Sequence, residues 1–462
     1  MYDVVIVGSG LGGLQCAHLL AQQGLKVAVL EQHAVIGGSM QSYRRGTHVF
    51  DTGFHYIGGI APGQSLYEPF KQLNLLHLPW YRMDKCYEHI HINGKTYRYA
   101  QGFDDFVETL AADFPNERKG LQRYARLLSN SANDHSQHDN FDQLCGVPAL
   151  NYLRHNISDP TLIDVLCTPA AVKGEMNRDT LPLFSLIHTN SGCVESAWRL
   201  RGPGSLIAES LKNDILQMGG EIFTRAKVVE FAVEDGKVSH ARTEDGRTFA
   251  AQCFVSDAHP AITLQLIAGK MGIFARRISS LVNTDGMLTI SIELEPNTFP
   301  YFNHNEYVVC DGRTLLISCR PPQDGSPYID HIDLLTLIPQ DADIQQETSR
   351  SIAIAATVFP QLNNLAQNSQ NSQKKNLNSQ LSTLKTHVST PDTWEHYTLT
   401  PGGSAFGIRK DWTNPMMTFF TPRTPISNLF LTGQSLIMHG VQGVTMTAFA
   451  TCQYLNDYLK NG

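Results

Sequence analysis

A chain of 462 residues with 42% hydrophobic content exceeds one ordinary domain and has apolar surface for a large core, so two or three lobes are expected. The formal net charge of -7 gives no electrostatic reason to bind nucleic acid and little to hold an anionic membrane, which leaves a small neutral partner. Nine cysteines, an odd number without a CxxC pair, fit reduced thiols and a cytoplasmic setting.

The chain opens on Met1-Tyr2-Asp3, an acid where a signal peptide needs a basic region, and no apolar run reaches the ~18 residues of a spanning helix. Peripheral membrane contact is left open. Val4 to Val7 predicts a short strand buried on both faces. Gly8-Ser9-Gly10-Leu11-Gly12-Gly13 follows, then Leu14, Ala17 and Ala21 at helical spacing up to Gly24, then a second strand from Val27 to Leu30. From about Asp104 to Ser191, sets such as Phe106, Leu110, Phe114 and Leu121, Tyr124, Leu128 predict a helical lobe. The segments Glu221 to Thr224, Val228 to Val233 and Val238 to Thr243 predict a small meander, with turn signals at Asp235-Gly236 and Asp245-Gly246. Between Pro260 and Gly407, alternation such as Leu288-Thr289-Ile290-Ser291-Ile292 predicts further sheet. It is interrupted from Gln361 to Gln380 by an Asn/Gln/Ser/Lys-rich insertion expected to face solvent. Val444 to Tyr458 predicts a closing helix.

Gly8, Gly10 and Gly13 form GxGxxG between a predicted strand and helix, and Glu31 closes the second strand. The first glycine permits the tight turn, the second lets backbone approach a pyrophosphate, and the third lets helix and strand pack closely. The helix N-terminus then offers its partial positive charge to phosphates, and Glu31 accepts from a ribose hydroxyl. This fingerprint alone does not separate NAD from FAD.

The residues after Glu31 extend the pattern: Gly37-Gly38, Ser42, Gly46 and Phe50-Asp51-Thr52-Gly53. This continuation resembles the flavoprotein superfamily of amine oxidases and carotenoid desaturases. Phe50 to Gly58, with Glu31-Gln32-His33, is most similar to retinol saturases and carotenoid isomerases. Asn428 to Gln434 and Gly440 to Thr445 resemble the closing FAD motif of that superfamily, and Ser256-Asp257-Ala258-His259-Pro260 also fits it.

The resemblance implies an α/β fold. A discontinuous Rossmann-like FAD-binding domain would comprise 1–60, 196–262 and 418–462, and a mixed α+β substrate-binding domain 61–195 and 263–417. It implies FAD held by Gly8, Gly10, Leu11, Gly13, Glu31, Gln32, Gly37, Gly38, Ser39, Ser42, Gly53, Val228, Gly433, Gln442, Gly443 and Val444. His55 and Tyr56 are expected near the isoalloxazine as the catalytic pair, one of them a proton donor. Many relatives carry Arg or Lys where Ser39 stands, which makes Arg44 or Arg45 the candidate for that charge.

Gly202-Pro203-Gly204 reads as a helix entry, because Ile207 replaces a third glycine. NAD(P)H, if used, would then be a transient reductant. Neither HExxH, paired CxxC nor GxSxG spacing occurs, so no metal is expected and the hydride chemistry belongs to the flavin. Trp80, Tyr81, Phe184, Trp198, Phe302 and Trp412 are candidates for a hydrophobic tunnel, plain core being the commoner role for such residues. The implied function is saturation, desaturation or cis/trans isomerisation of a carotenoid or retinoid. The alternatives are an amine oxidase and a non-catalytic binder of prenylated proteins of the GDP-dissociation-inhibitor type, against which Glu31 and the closing motif stand. Oligomeric state is not legible.

Overall fold

The computed structural model describes residues 1–133, 143–173, 178–267, 272–362 and 385–461. Most of the polar insertion lies outside the described residues.

Val4, Val5 and Ile6 are completely buried because their strand, Tyr2–Val7, sits mid-sheet with helices over it. Glu221–Phe223, Val27–Leu30, Tyr2–Val7 and Thr248–Ser256 run parallel, in that order. Leu429–Leu431 adds in parallel to the far half of Thr248–Ser256. The near half of the same strand continues into an antiparallel meander with Lys237–Thr243 and Val228–Glu234. The meander therefore starts one strand later than the sequence pattern suggests. Glu221–Phe223 is a parallel edge strand, tied to the second strand through Phe223 C=O accepting from Glu31 N–H at 2.8 Å. Asp235 (φ 49°) and Gly236 (φ 75°) make the two-residue turn with positive φ that antiparallel strands favour.

Three helices cover this sheet: Leu11–Gln22, Ser205–Gln217 and Gly440–Asn461. Gly440–Asn461 begins four residues before the expected start and packs along Leu11–Gln22, where Gln15 Nε2 donates to Thr445 Oγ1 at 2.8 Å.

A second seven-stranded sheet has the order Thr386–Ser389, Gly286–Glu293, His331–Ile338, Arg313–Ser318, Asn305–Cys310, Cys86–Ile92, Lys95–Ala100. All its pairs are antiparallel except Asn305–Cys310 with Cys86–Ile92. Helices Phe103–Asp113, Arg118–Asn133, Ala149–Asn156, Pro160–Val172 and Leu183–Glu195 form the helical lobe, and they share one core with Tyr87, Ile90, Tyr307 and Leu335 of this sheet. Among the described residues no helix is long and apolar enough to cross a membrane.

Candidate cofactor and substrate site

The turn after the first strand is shaped by what its glycines leave out. Gly8 adopts φ +99°, which only glycine takes at no steric cost. Gly10 has an ordinary backbone (φ -62°, ψ 176°), yet a Cβ there would lie 2.5 Å from Asp257 Oδ2. A Cβ on Gly13 would meet the carbonyl oxygen of Gly8 at 2.2 Å, so this glycine serves helix-to-strand contact. Gly38, also at positive φ, brings its backbone against Gly10, where its Cβ would come 3.1 Å from Gly10 Cα. Gly10 has no side chain with which to cap the helix, and the carboxylate of Asp257 meets the Gly10 and Gly13 amides that an anionic ligand would otherwise take.

Glu31 is buried and ties this turn down. Its Oε2 accepts from Ser9 N–H (3.0 Å) and Ser9 Oγ (2.5 Å), and its Oε1 accepts from His33 N–H (2.8 Å).

A cavity of about 700 Å³ runs from this turn into the second lobe. Of the sequence-predicted residues, Gly8, Gly10, Leu11, Glu31, Gln32, Gly37, Gly38, Ser39, Gly53, His55, Tyr56, Val228, Gly433 and Val444 line it. Gly13, Ser42, Gln442 and Gly443 do not. Ser42 Oγ instead donates to Asp51 Oδ1 at 2.6 Å. The amide of Gln442's side chain fills the space against Gly192, and Gly443 lets the last helix approach the Met438 backbone. Arg44 and Arg45 do not reach the cavity either, because their strand carries them outward, where Arg45 lies over the Tyr43 ring.

Asp51 is a clamp. It accepts from Gly204 N–H (2.8 Å) at the start of Ser205–Gln217 and pairs with Arg320 (3.0 Å), which makes Gly202-Pro203-Gly204 the helix entry that its sequence suggests. The tunnel candidates Trp80, Tyr81, Phe184, Trp198, Phe302 and Trp412 all lie away from the cavity. Trp80 packs on Phe54 and Phe70, Phe184 on Phe419, and Phe302 on Phe299 and Phe359, so bulk apolar character identified packing and left the cavity wall unidentified.

At the far end, Val172, Met287, Leu316, Leu335, Ala405 and Phe406 form an apolar chamber. Tyr56 stands beside it with its hydroxyl engaged, donating to Glu88 Oε1 at 2.5 Å with Tyr307 Oη 2.9 Å away. Burial, and then the Glu88 charge, pushes the phenol well above its ordinary range. Burial also raises Glu88, against the pull of Lys173, whose Nζ lies 3.7 Å from Glu88 and 4.6 Å from the Tyr56 ring centroid. Burial pulls His55 below its ordinary value and outweighs the opposing charges of Asp333 and Asp51. Its Nε2 is buried without a hydrogen-bond partner. His439, also on the wall, is pushed down to about 3 by burial, so both histidines are neutral at pH 7.

Three lining residues went unassigned in sequence. Lys173 and His439 sit in no motif. Asp257 belongs to a recognisable segment, but nothing local shows that its carboxylate sits among Gly10, Gly12, Gly13 and Gly433.

Residues 6–73 match the family of NAD(P)-binding Rossmann-like domains. The all-trans-retinol 13,14-reductase of Danio rerio is 24% identical over 97% of this chain and 85% of its own length. The chloroplastic prolycopene isomerase of Arabidopsis thaliana is 27% identical over 56% of this chain, which spans about half that relative (48%). Among solved structures, an oxidoreductase from Methanosarcina mazei superposes with a TM-score of 0.67 at 17% identity, covering 98% of this chain and 100% of that one. Putrescine oxidase bound to putrescine gives 0.66 at 13% identity, with 99% of each chain covered. The matched amino-terminal Rossmann-like unit, the two-lobed α/β fold and these relatives together support the flavoprotein amine oxidase and desaturase superfamily.

Proposed function

We propose that the protein is an FAD-dependent oxidoreductase acting on carbon–carbon double bonds of a neutral, elongated isoprenoid of the carotenoid or retinoid class. The observation that carries this reading is the continuity of one cavity, glycine-lined at one end and apolar at the other. The named activities of the zebrafish and Arabidopsis relatives favour the same substrate class.

The cofactor domain is assigned to 1–60, 196–262 and 418–462, each of which contributes at least one strand to the seven-stranded sheet that holds Tyr2–Val7. The turn Gly8 to Gly10, the paired Gly37-Gly38 and Gly433 would hold the diphosphate, and Glu31 the ribose, while also fixing Ser9. Bound FAD would supply the hydride chemistry, and NAD(P)H, if used, would serve as a transient reductant. The apolar wall excludes water and orients the polyene. His55 is assigned the proton transfer at Nε2, since that atom is uncommitted. Tyr56 is a positioning residue, because its single O–H is spent on Glu88. Peripheral membrane contact fits a substrate that partitions into lipid.

The test incubates flavin-loaded protein, oxidised and separately dithionite-reduced, with carotenoids, retinoids and primary amines, and reads product mass and geometry. Loss of about two mass units means desaturation, gain of about two saturation, and unchanged mass with altered geometry isomerisation. Reductive turnover should rise as pH falls, because a histidine with a lowered pKa gains its proton only on acidification. Turnover of amines alone overturns the reading.

Asp257 supplies a separate check. Burial and the Glu31 charge raise its carboxyl to about 7, despite the opposing pull of the Gly13 and Gly10 amides. Once ionised it competes with a diphosphate for those amides. FAD affinity should therefore fall as pH rises through 7, by up to about tenfold per unit, and Asp257→Asn should flatten the profile. An unchanged slope in that variant removes Asp257 from the cradle.

A further inference from the structure

The parallel pairing of Cys86–Ile92 with Asn305–Cys310 sets Glu306 opposite His89. Side chains alternate along strands, so His89 and His91 share one face of the pair with His304 and Glu306. Glu88 and Tyr307 point to the other face, toward Tyr56.

On the outward face, His304 Nε2 lies 3.1 Å and His89 Nδ1 3.3 Å from Glu306 Oε1, and the two imidazoles stack with centroids 4.0 Å apart. The candidate ligand atoms of these three residues all lie within 4.8 Å of one another. Four-coordinate zinc, with bonds of about 2.0–2.1 Å, sets its ligand atoms about 3.3 Å apart. Two edges of the triangle already have that length. Around it stand outer partners of the kind that orient metal-bound histidines. Asp84 Oδ2 faces His304 Nδ1 at 3.5 Å. His91 Nε2 holds the second Glu306 oxygen at 2.6 Å and is itself held by Thr96 Oγ1 at 3.0 Å. The three histidines keep about a fifth of their side-chain surface exposed, which gives a metal ion access. None of the four residues lines the cofactor cavity.

We propose that His89, His304 and Glu306 form a zinc-type divalent metal site on the outer face of this strand pair, with His91 and Asp84 as positioning residues. An N₂O ligand set of borderline softness selects zinc over magnesium or calcium, which prefer all-oxygen sites. The ion joins segments 217 residues apart in sequence and fixes the pairing that also presents Glu88 and Tyr307 to Tyr56.

The test titrates Zn²⁺ into chelator-stripped, full-length, flavin-loaded protein by calorimetry and follows the melting temperature. One micromolar or tighter site is expected, with melting raised by Zn²⁺ because the ion binds only the folded pairing. His89→Ala/His304→Ala should lose both effects while keeping wild-type flavin content. Should that variant fold poorly, Glu306→Gln preserves the shape and should lose zinc alone, and Asp84→Ala should weaken it about tenfold. X-ray absorption should show a nitrogen and oxygen shell at about 2.0–2.1 Å without sulfur at about 2.3 Å. Absence of saturable binding, binding unchanged in Glu306→Gln, or a sulfur shell from one of the cysteines would each overturn the site.

Discussion

Gly10→Val is expected to give a folded protein that purifies without flavin. The backbone at Gly10 is one that any residue adopts, so the effect is steric. The new Cβ would stand 2.5 Å from Asp257 Oδ2, in a turn where Gly38 already packs closely on Gly10, and the added bulk would sit on the cavity wall beside the amides that Asp257 meets. Gly13→Val differs in kind, since its Cβ meets the Gly8 backbone and separates helix from strand, so it should impair folding itself. The comparison isolates the site from the scaffold. The ratio of visible flavin absorbance to protein absorbance, with a melting curve for each variant, reads both outcomes. Full flavin content in folded Gly10→Val protein would remove the glycine turn from the cofactor site.

The parts legible in sequence were those whose function rests on neighbours in the chain. The glycine turn and Glu31 are spelled out within a few dozen residues, because one strand-turn-helix-strand unit builds them. The sheet edge at Glu221–Phe223 was misplaced because a three-residue strand carries no signal of its partner. Trp80, Phe184 and Phe302 were hydrophobic in the right way for a tunnel and for a core alike, and only packing separates those roles. The chamber wall is drawn from Val172, Met287, Leu316, Leu335 and Phe406, contributed by a helix, three strands and a loop far apart in sequence. The same holds for His89, His304 and Glu306. Their sequence spacing matches no metal motif, and only the register between two strands makes them neighbours.

Stability should fall on the order of 3 kcal/mol between pH 6.5 and 9 through one buried histidine. His331 is 1% exposed and lies between two carboxylates, with Nδ1 2.6 Å from Asp330 Oδ1 and Nε2 3.6 Å from Asp333 Oδ2. Its ring and that of Phe50 meet edge to face, with centroids 4.9 Å apart. Burial alone would lower its pKa, but the Asp333 charge and the hydrogen bond to Asp330 outweigh it and raise the group to about 9. Asp333 is correspondingly held low by His331, and Ser291 Oγ donates to it at 2.6 Å. A histidine raised in the folded state adds stability that is fully present below its unfolded pKa of about 6.5 and disappears as pH climbs through the folded value. Denaturant titrations at pH 6, 7.5 and 9 should therefore show a midpoint that declines with pH. His331→Asn should be less stable at pH 6, because it leaves Asp333 buried beside no cation, and should lose most of the slope. A wild-type slope retained in His331→Asn would place the titrating group elsewhere. Asp333 also acts electrostatically on His55, so the same titration reaches the cavity wall. Deprotonating His331 removes a positive charge that opposes the protonated form of His55, and the two histidines are therefore coupled through the shared carboxylate.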